Sequence, residues 1–382
     1  MTTTESAGRT FDERMMGLAL RVARRILGQT APNPAVGAVI ADEATGEVVA
    51  RGWTQVSGRP HAEAHALSCC PGGLARGKTM YVTLEPCSYH GRANPVVAKA
   101  MPCAEAILAA GMRRVVVATE DPNPEIAGQG VAVLRREGVA VDIGLCGAEA
   151  RWVTAGHILR MTRGRPFVQL KVAVSGDGLI APGDGAPVWV TGPDVRAYAH
   201  VLRAHADAVM VGRMTVEDDD PELTCRLPGL ASRSPRRVVL DSGFRAAPSV
   251  KMFGTAHRVP VVVFGKTDSV PPTYPAGVEV RRVPARGDGR LDLNAVLGCL
   301  AQDGVTRVLV EAGPTIAAAL LAADLVDEVV IARGTEPLGP DGRQPFGDRG
   351  LTVLDDPGRW QLAERRMLGA DTLTVHRRAG RL

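Results

Sequence analysis

Two short stretches of the sequence combine residue types that can bind and use a metal ion. His61-Ala62-Glu63 places an imidazole and a carboxylate two residues apart, and Pro86-Cys87 adds a thiol further along the chain. A hydrolytic zinc ion needs three protein ligands, an open position for water and a nearby group that moves protons. Histidine and cysteine are common zinc ligands, and a glutamate can act as the acid/base. The two stretches therefore predict a zinc site that activates water.

The order of these residues is typical of hydrolytic deamination. In zinc deaminases a His-x-Glu motif comes first, Pro-Cys and a further cysteine follow, and the glutamate is not a ligand. Each motif alone is common and has an ordinary structural explanation, whereas the combination favours Zn²⁺ on His61 and Cys87 with Glu63 as the acid/base. Spacing alone leaves the third ligand open. The candidates are His65, one helical turn from His61, and the cysteines Cys69, Cys70 and Cys103.

The elements that carry these motifs alternate between helix and strand. Apolar residues at helical spacing and short apolar runs distinguish the two types. Helices are predicted over residues 11–28, 62–70, 104–111 and 131–138, and strands over 36–41, 47–53, 79–84, 114–119 and 139–144. His61 then stands at the start of a helix and Cys87 follows a strand. Both are rigid positions that can face one cleft.

The same alternation begins again after about residue 150, which predicts a second α/β domain. Its strands are predicted over residues 166–175, 206–212, 236–241, 259–265, 305–313 and 328–332, with a helix over 315–327. We therefore predict domains at 1–150 and 165–382, joined by a linker over 151–164. The segment 226–237 is rich in proline, glycine, serine and arginine and predicts an exposed loop.

Composition narrows the class of protein. The chain has 382 residues, 45% of them hydrophobic, which supports packed cores. A net charge of +4 and 4% aromatic residues argue against a nucleic-acid partner. Seven irregularly spaced cysteines make a poor disulfide framework and fit reduced thiols. The N-terminus lacks the apolar run of a signal peptide, and no apolar run reaches membrane-spanning length, so we expect a cytoplasmic protein without a membrane partner.

Four segments of the first half resemble the deaminase half of the bifunctional riboflavin-biosynthesis deaminase/reductase family. They are TAPNPAVGAVI (30–40), HAEAHAL (61–67), YVTLEPCSYHGR (81–92) and DPNPEIAGQG (121–130). The resemblance implies a cytidine-deaminase-like α/β/α domain. It also implies that the substrate is bound by Asn33, Arg92, Asp121 and Asn123. The two Pro-Asn-Pro-type segments are equally typical of turns, and binding residues are often found on turns.

The same resemblance addresses the third zinc ligand. In that family it follows the first cysteine by nine positions, and the residue there is Val96, which cannot bind zinc. The segment CAEAILAAG (103–111) is similar to the one that follows the family's third ligand. The resemblance therefore implies that Cys103 binds zinc and that an insertion around 94–102 precedes it. Tyr89 is a further departure, because many relatives have histidine there.

In the second half, a strand that ends in Glu-Ala-Gly-Pro leads directly into a helix, and such a helix start can bind a phosphate. The absence of G-x-G-x-x-G after the first strand argues against a Rossmann site. The segments QLKVAVSGDG (169–178), WVTGPDVR (189–196), 201–226 and VEAGPT (310–315) resemble the family's reductase half, which implies a dihydrofolate-reductase-like fold and NADPH. The residues implied for the nucleotide are Ala173, Trp189, Thr215, Asp219, Ser242, Gly313, Pro314 and Thr315. Those implied for the substrate are Lys171, Arg203, Leu223, Arg226 and Glu311.

Together these features predict a two-step enzyme. Hydrolytic deamination of 2,5-diamino-6-(5-phosphoribosylamino)pyrimidin-4-one would come first, and NADPH would then reduce the ribosyl group to ribityl. We expect a small phosphorylated pyrimidine as partner, no nucleic acid, and a homo-oligomer. Two alternatives stay open: a reductase whose deaminase half is degenerate, and a nucleic-acid or nucleoside deaminase with an accessory domain. Bound zinc separates the first alternative from the main prediction, and a basic aromatic groove would mark the second.

Overall fold

The computed structural model describes residues 10–88, 101–124, 126–184 and 188–382. The chain divides into two compact units, the first ending at Arg163 and the second covering Gly164–Arg381. Each unit has its own sheet and its own buried clusters of apolar side chains. Within the described residues, no helix is long and apolar enough to cross a membrane.

The first unit is a mixed sheet with helices on both faces. Its helices are α1 (Phe11–Arg25), α2 (Ala62–Ser68), α3 (Cys103–Ala109), α4 (Gln129–Arg136), α5 (Gly147–Val153) and α6 (Ala155–Arg163). Its strands are β1 (Gly37–Ala41), β2 (Val48–Trp53), β3 (Thr79–Val82), β4 (Arg114–Val117) and β5 (Ala140–Ile143). The strand order is β2-β1-β3-β4-β5, with β3, β4 and β5 parallel and β1 antiparallel to both neighbours.

Helix α1 illustrates how local sequence and burial agree in this unit. Thr10 and Glu13 form a capping box, in which each side chain bonds the other residue's backbone N–H. The buried face of the helix, which includes Met16 and Leu20, packs in one cluster with Val39 of β1 and Tyr81 of β3. Removing such side chains from water contributes about 1.5–3 kcal/mol each. The predicted helix over 11–28 is therefore confirmed, three residues shorter at its end.

The segment predicted as a linker, residues 151–164, is helical for most of its length. The end of α5 and all of α6 lie in it. Ala150 and Val153 of α5 pack with α1 and the sheet of the first unit. Since α5 and α6 lie before Arg163, they belong to the first unit and the division falls at the end of α6.

The second unit is built on a nine-stranded sheet. Its strands are β6 (Phe167–Val174), β7 (Ala208–Gly212), β8 (Arg236–Leu240), β9 (Val261–Lys266), β10 (Val278–Val283), β11 (Arg307–Val310), β12 (Glu328–Arg333), β13 (Pro345–Asp348), β14 (Trp360–Leu368) and β15 (Asp371–Arg378), with β13 outside the sheet. Its helices are α7 (Pro193–Ala204), α8 (Arg213–Asp219), α9 (Lys251–Gly254), α10 (Leu293–Gln302) and α11 (Pro314–Ala322). The strand order is β10-β9-β8-β7-β11-β6-β12-β15-β14.

The first seven strands in that order are parallel, so their carboxyl ends share one edge of the sheet. At the far side of the sheet, β15 runs antiparallel to β12, and the edge strand β14 runs antiparallel to β15. In open parallel sheets, ligands bind beyond the carboxyl ends of the strands. The topology therefore predicts a second site at this edge of the sheet.

A buried ion-pair network joins the first strand of the second unit to its C-terminus. Asp327 is fully buried, and its carboxylate accepts two hydrogen bonds from the Arg165 guanidinium at 2.7 and 2.8 Å. Arg381 Nε lies 3.0 Å from the same carboxylate. Two arginines from distant parts of the sequence therefore share one aspartate.

The prediction of an exposed loop over 226–237 was wrong at its end. Arg236 opens β8, and Arg237 is fully buried although it is an arginine. Its guanidinium donates to Thr255 Oγ1 at 2.9 Å and to the Val259 carbonyl at 2.5 Å. Burial lowers the pKa of Arg237 to about 10. Its partners lie far along the chain, which explains why composition indicated a solvated loop.

Candidate functional site

Three potential metal ligands from separate elements meet in the first unit. His61 caps the start of α2, Cys87 follows β3, and Cys103 is the first residue of α3. Their ligand atoms all lie within 4.8 Å of one another. The backbone N–H of Cys103 also donates to the Cys87 sulfur at 3.5 Å. The site is therefore fixed by two helix starts and one strand end.

The distances within this cluster fit a tetrahedral zinc ion. His61 Nδ1 lies 3.5 Å from the Cys87 sulfur and 3.5 Å from the Cys103 sulfur. Around zinc, with Zn–N about 2.0–2.1 Å and Zn–S about 2.3 Å, nitrogen and sulfur are about 3.5 Å apart. Three protein ligands of this type leave one position open, as in catalytic rather than structural zinc sites.

The cluster is prepared for a cation by the ionisation of its own groups. A hydrogen bond from Cys103 lowers the pKa of Cys87 to about 4, and the His61 imidazole adds to this effect. The same bond, together with burial, raises the pKa of Cys103. The Cys87 sulfur in turn raises the pKa of His61. The thiolate is the form that binds metal, so the lowered pKa of Cys87 favours metal binding at this site.

Glu63 follows His61 by two residues, and only 3% of its surface is exposed. Burial raises the pKa of Glu63 to about 7, against the lowering effect of the His61 charge. A carboxyl group with a pKa near neutrality can both accept and donate a proton. These are the properties expected of the acid/base.

A glycine allows α2 to bring His61 and Glu63 to the sheet. A Cβ at Gly52 of β2 would lie 2.2 Å from both the Ala62 carbonyl and the Ala66 nitrogen. No other residue could occupy that position without moving the helix. The close contact therefore fixes the start of α2 relative to β2.

The rival ligands do not take part in the cluster. His65 Nδ1 accepts hydrogen bonds from Gln55 Nε2 at 2.9 Å and from the Trp53 backbone N–H at 3.3 Å. Its ring also packs edge-on against Trp53 at 4.7 Å. Cys69 is exposed, and Cys70 is half-buried with a pKa raised by burial. These contacts give His65 a structural role.

Glu85 is a residue of the site to which the sequence analysis assigned no role. Its buried carboxylate accepts hydrogen bonds from four backbone N–H groups of the 121–131 segment. The donors are Asp121 at 3.2 Å, Gly128 at 2.9 Å, Gly130 at 2.9 Å and Val131 at 3.2 Å. A glutamate directly before Pro-Cys, on a buried strand end, was the available signal.

The start of α4 also lies directly on the turn that carries Cys87. A Cβ at Gly130 would stand 1.8 Å from the Pro86 carbonyl. The loop that contains Asp121 and Asn123 is thus tied to the metal-ligand turn by Glu85 and by this close contact. Asp121 Oδ1 accepts from the Asn123 backbone N–H at 2.9 Å, as in a turn.

Of the two other residues predicted to bind the substrate, Asn33 lies within the described residues. Asn33 is half-buried, its side chain stands against Gly58, and its backbone N–H donates to the Thr30 carbonyl at 2.9 Å. Arg92 lies outside the described residues, as do Tyr89 and most of the segment predicted as an insertion.

In the second unit, Lys171, Arg203 and Glu311 meet at the edge of the sheet formed by the carboxyl ends. Arg203 donates two parallel hydrogen bonds to Glu311, at 2.7 and 2.8 Å. Burial opposes ionisation of Glu311, but Arg203 and Lys171 outweigh it and lower its pKa. Burial lowers the pKa of Lys171, although Glu311 counteracts the effect. Two cations beside one carboxylate leave this cluster with a net positive charge, which suits an anionic substrate.

The remaining substrate residues flank that cluster. Leu223 is buried with a φ of 54°, in the left-handed region that leucine rarely adopts. Arg226 is exposed, pairs with Glu222 at 2.6 Å, and donates its backbone N–H to His200 Nδ1 at 3.3 Å. A new anion could compete with Glu222 for the Arg226 side chain, because exposed ion pairs are weak.

The residues predicted for the nucleotide are distributed along the same edge of the sheet. Ala173 lies near the end of β6, Ser242 follows β8, and α8, which carries Thr215 and Asp219, begins directly after β7. Trp189 has 79% of its surface exposed, and the Arg196 guanidinium lies 5.0 Å from its ring. An exposed indole of this kind is available to a planar ligand.

The turn after β11 has the features of a phosphate-binding helix start. Gly313 is the N-cap of α11, Pro314 is the first helical residue, and Thr315 follows. Among the described residues, no atom beyond its chain neighbours lies within 4 Å of the position that a Cβ of Gly313 would take, so the backbone there is open to a ligand. Backbone N–H groups at such a start attract an anionic group. These residues fit a dinucleotide cofactor.

Comparison with known proteins places both units in one family. Residues 9–119 match the cytidine and deoxycytidylate deaminase zinc-binding region, and residues 166–374 match the RibD C-terminal domain. The riboflavin biosynthesis protein RibD of Escherichia coli is 38% identical over 375 residues, covering 94% of this chain and 97% of that protein. The chain belongs to the RibD family. The RibD protein of Aquifex aeolicus is 35% identical, covering 97% of this chain and 99% of that one.

Solved structures of RibD proteins agree with the fold. Acinetobacter baumannii RibD is 33% identical with a TM-score of 0.80, and it covers 97% of this chain and 99% of its own. The Thermotoga maritima deaminase/reductase is 32% identical with a TM-score of 0.83 and the same coverage. The predicted combination of a zinc-binding deaminase half and a RibD reductase half is therefore confirmed. An accessory domain on a nucleic-acid deaminase is not supported, because RibD relatives match across both halves.

Proposed function

We propose that this RibD-family chain catalyses two successive reactions of riboflavin biosynthesis. The first unit hydrolyses the amidine of 2,5-diamino-6-(5-phosphoribosylamino)pyrimidin-4-one and releases ammonia. The second unit reduces the ribosyl group of the product to ribityl at the expense of NADPH. In this proposal the deaminase domain and the reductase domain correspond to the predicted ranges 1–150 and 165–382, with α6 completing the deaminase.

The observation that carries the proposal is the cluster of His61, Cys87 and Cys103 beside a buried Glu63. The three side chains would hold Zn²⁺, which supplies Lewis acidity that lowers the pKa of a water molecule. Glu63 then takes a proton from that water at its carboxylate and returns it to the leaving amine. Water adds to the amine-bearing carbon, the carbon–nitrogen bond breaks, and a carbonyl and ammonia result.

Around this centre, we propose Asn33, Asp121 and Asn123 as contacts of the pyrimidine, with Arg92 as a contact of the phosphate. Asp121 and Asn123 are supported by the loop that Glu85 ties to the Cys87 turn, whereas Asn33 and Arg92 are proposed from the family resemblance. A pyrimidine with several N–H groups needs such acceptors, and fixed loop geometry would orient it for attack.

In the reductase unit, Lys171, Arg203, Leu223, Arg226 and Glu311 are proposed as substrate contacts. The guanidinium groups provide paired N–H donors for a phosphate. Bound NADPH supplies the hydride, and the protein's part is to hold nicotinamide and sugar in line. The proposed nucleotide contacts are Ala173, Trp189, Thr215, Asp219, Ser242, Gly313, Pro314 and Thr315.

Glu63→Gln tests the assignment of the first site. The amide keeps the shape but cannot carry the proton, so ammonia release should fall at least about 100-fold. Zinc content, measured by atomic emission on the purified protein, should stay near one per chain. NADPH oxidation with the deaminated substrate should be unchanged, which is the internal control. If the Glu63→Gln variant still released ammonia, the acid/base assignment would be rejected. If wild-type protein held far less than one zinc per chain despite added metal, the deaminase assignment would be rejected.

We also propose that the enzyme works in the cytoplasm as a homo-oligomer. All seven cysteines are unpaired, which suits a reducing compartment. Closed symmetric homo-oligomers are common among enzymes. Light scattering after size-exclusion chromatography would measure the mass of the protein in solution and test the proposed homo-oligomer.

A further inference from the structure

His157 lies on α6 with both ring nitrogens shielded from solvent. Within the part of the chain that the structure describes, neither Nδ1 nor Nε2 makes a hydrogen bond. Buried polar atoms without a partner are few in folded proteins, and each one calls for an explanation. Packing alone does not explain this residue, because an apolar ring would fill the same space without losing hydration.

The charged group that faces the imidazole is the carboxylate of Asp121. His157 Nε2 lies 3.9 Å from Asp121 Oδ1, and the two side chains are 14% and 15% exposed. This separation is longer than a hydrogen bond, but a small rotation of either side chain would close it. With water largely excluded, the attraction between the two groups is stronger than at an open surface.

Asp121 already makes other contacts, at its backbone and at its side chain. Its N–H donates to Glu85 Oε2 at 3.2 Å, and its Oδ1 accepts from the Asn123 N–H at 2.9 Å. One hydrogen bond at Oδ1 restrains the carboxylate without filling its remaining acceptor positions. Among the contacts described for that carboxylate, His157 alone comes from a different element, the helix α6.

We propose that His157 is a positioning residue of the deaminase unit, which donates Nε2–H to Asp121 when the pyrimidine is bound and fixes that carboxylate against the substrate. The inference rests on the proposed function, because it takes Asp121 as a contact of the diaminopyrimidine. A carboxylate has about four lone-pair positions, so it can accept from His157, from Asn123 and from substrate N–H groups together. The effect is on binding and orientation, and no proton leaves His157 during the reaction.

Two substitutions at His157 distinguish a hydrogen-bond donor at Nε2 from a side chain that only fills space. Gln carries an N–H donor at about the distance of Nε2, whereas Asn reaches only to about Nδ1. We expect His157→Asn to raise the KM for the pyrimidine about tenfold, with kcat within about twofold, because a hydrogen bond to a charged group is lost. His157→Gln should keep KM within about threefold of wild type. Thr162→Ala, on the same helix, is the matched control and should change neither constant.

The pairing with Asp121 is tested by a double-mutant cycle on ammonia release. If the two residues act together, His157→Asn should raise KM no further in an Asp121→Asn background. Equal effects in both backgrounds, or an unchanged KM in His157→Asn and in His157→Phe, would overturn the inference. So would equal losses in the Asn and Gln variants together with a lower melting temperature, because that pattern indicates packing alone. Wild-type protein that binds zinc but releases no ammonia would instead overturn the proposed function.

Discussion

At the scale of single residues, the surroundings of Glu63 distinguish it from the other carboxylates of the chain. The helix start at His61 and the packing of α2 on Gly52 bury it beside the candidate metal ligands. Its pKa of about 7 results mainly from that burial. Bound zinc would stabilise the carboxylate form and lower this pKa, so the acid/base function depends on the occupied site.

Cys103, the third candidate zinc ligand, can be tested by substitution. Cys103→Ser should weaken zinc binding by about 100-fold or more, because a neutral hydroxyl replaces a thiolate. Cys70→Ser is the matched control, since Cys70 lies outside the cluster, and it should leave the affinity unchanged. Competition with a chromogenic chelator would measure both affinities. Loss of zinc in the Cys70 variant instead would reassign the ligand.

The part of the candidate site that depends on residue type and order along the chain could be predicted from the sequence. His61, Cys87 and Glu63 could be proposed from their own motifs. Cys103 could not, because nothing in local spacing indicates that α3 starts beside the Cys87 turn. The exclusion of His65 depends on bonds to Gln55 and Trp53, which are tertiary contacts. No sequence motif indicates a role for His157, because the residue that it faces, Asp121, lies on a loop far from it in sequence.

At the scale of elements, the backbone N–H groups of Asp121, Gly128, Gly130 and Val131 form a unit that is organised around Glu85. One carboxylate satisfies four backbone N–H groups at the loop and at the first turn of α4. A negative charge is favourable at a helix start, where the backbone N–H groups are unpaired. Asp121 at one end of this loop and the start of α4 at the other are therefore held by the same carboxylate, although the loop contains several turn-forming residues.

Glu85→Gln should loosen this unit without touching a metal ligand. The amide has only one acceptor oxygen, so at least one pair of N–H groups loses its partner at a cost of about 1–3 kcal/mol. We expect a lower melting temperature for the first unit and a KM for the pyrimidine raised about tenfold. The matched control is Glu137→Gln, which removes only an exposed ion pair with Arg136. An unchanged KM in the Glu85 variant would show that the loop holds its path without this carboxylate.

Element prediction was reliable where apolar periodicity reflects burial on one sheet. The parallel strands β7, β8 and β9 each contain a run of consecutive apolar residues, and each was predicted within about two residues of its observed limits. Residues 151–163 were missed because two short helices follow one another there, and the break between them at Thr154 interrupts the apolar periodicity. Arg237 was misassigned because its burial depends on carbonyl groups from other loops.

At the scale of the whole molecule, each unit has its own core and its own candidate site. The metal cluster draws on α2, α3 and the end of β3, all in the first unit. The cluster of Lys171, Arg203 and Glu311 draws on β6, α7 and the end of β11, all in the second. In the part of the chain that the structure describes, neither cluster includes a side chain of the other unit, which predicts that the two reactions can be separated by mutation.

A mixing experiment tests that separation. Glu63→Gln should block the first reaction only, and Lys171→Gln should reduce the second by about 10–100-fold, because a charged contact is lost. Neither variant alone should convert the diaminopyrimidine to the ribityl product. An equimolar mixture should restore the conversion, since the intermediate can leave one protein and enter the other. Liquid chromatography of the products would follow it, and a mixture as inactive as its components would argue against independent sites.

The ion-pair network around Asp327 has a consequence for how the chain could be rearranged. Arg165 and Arg381 contact the same carboxylate, so the beginning and the end of the second unit are neighbours in space. Protein domains with adjacent ends tolerate circular permutation, since a short peptide can join the old termini. The fold of the second unit therefore does not dictate where its chain begins and ends. The deaminase unit could be attached at either end of it.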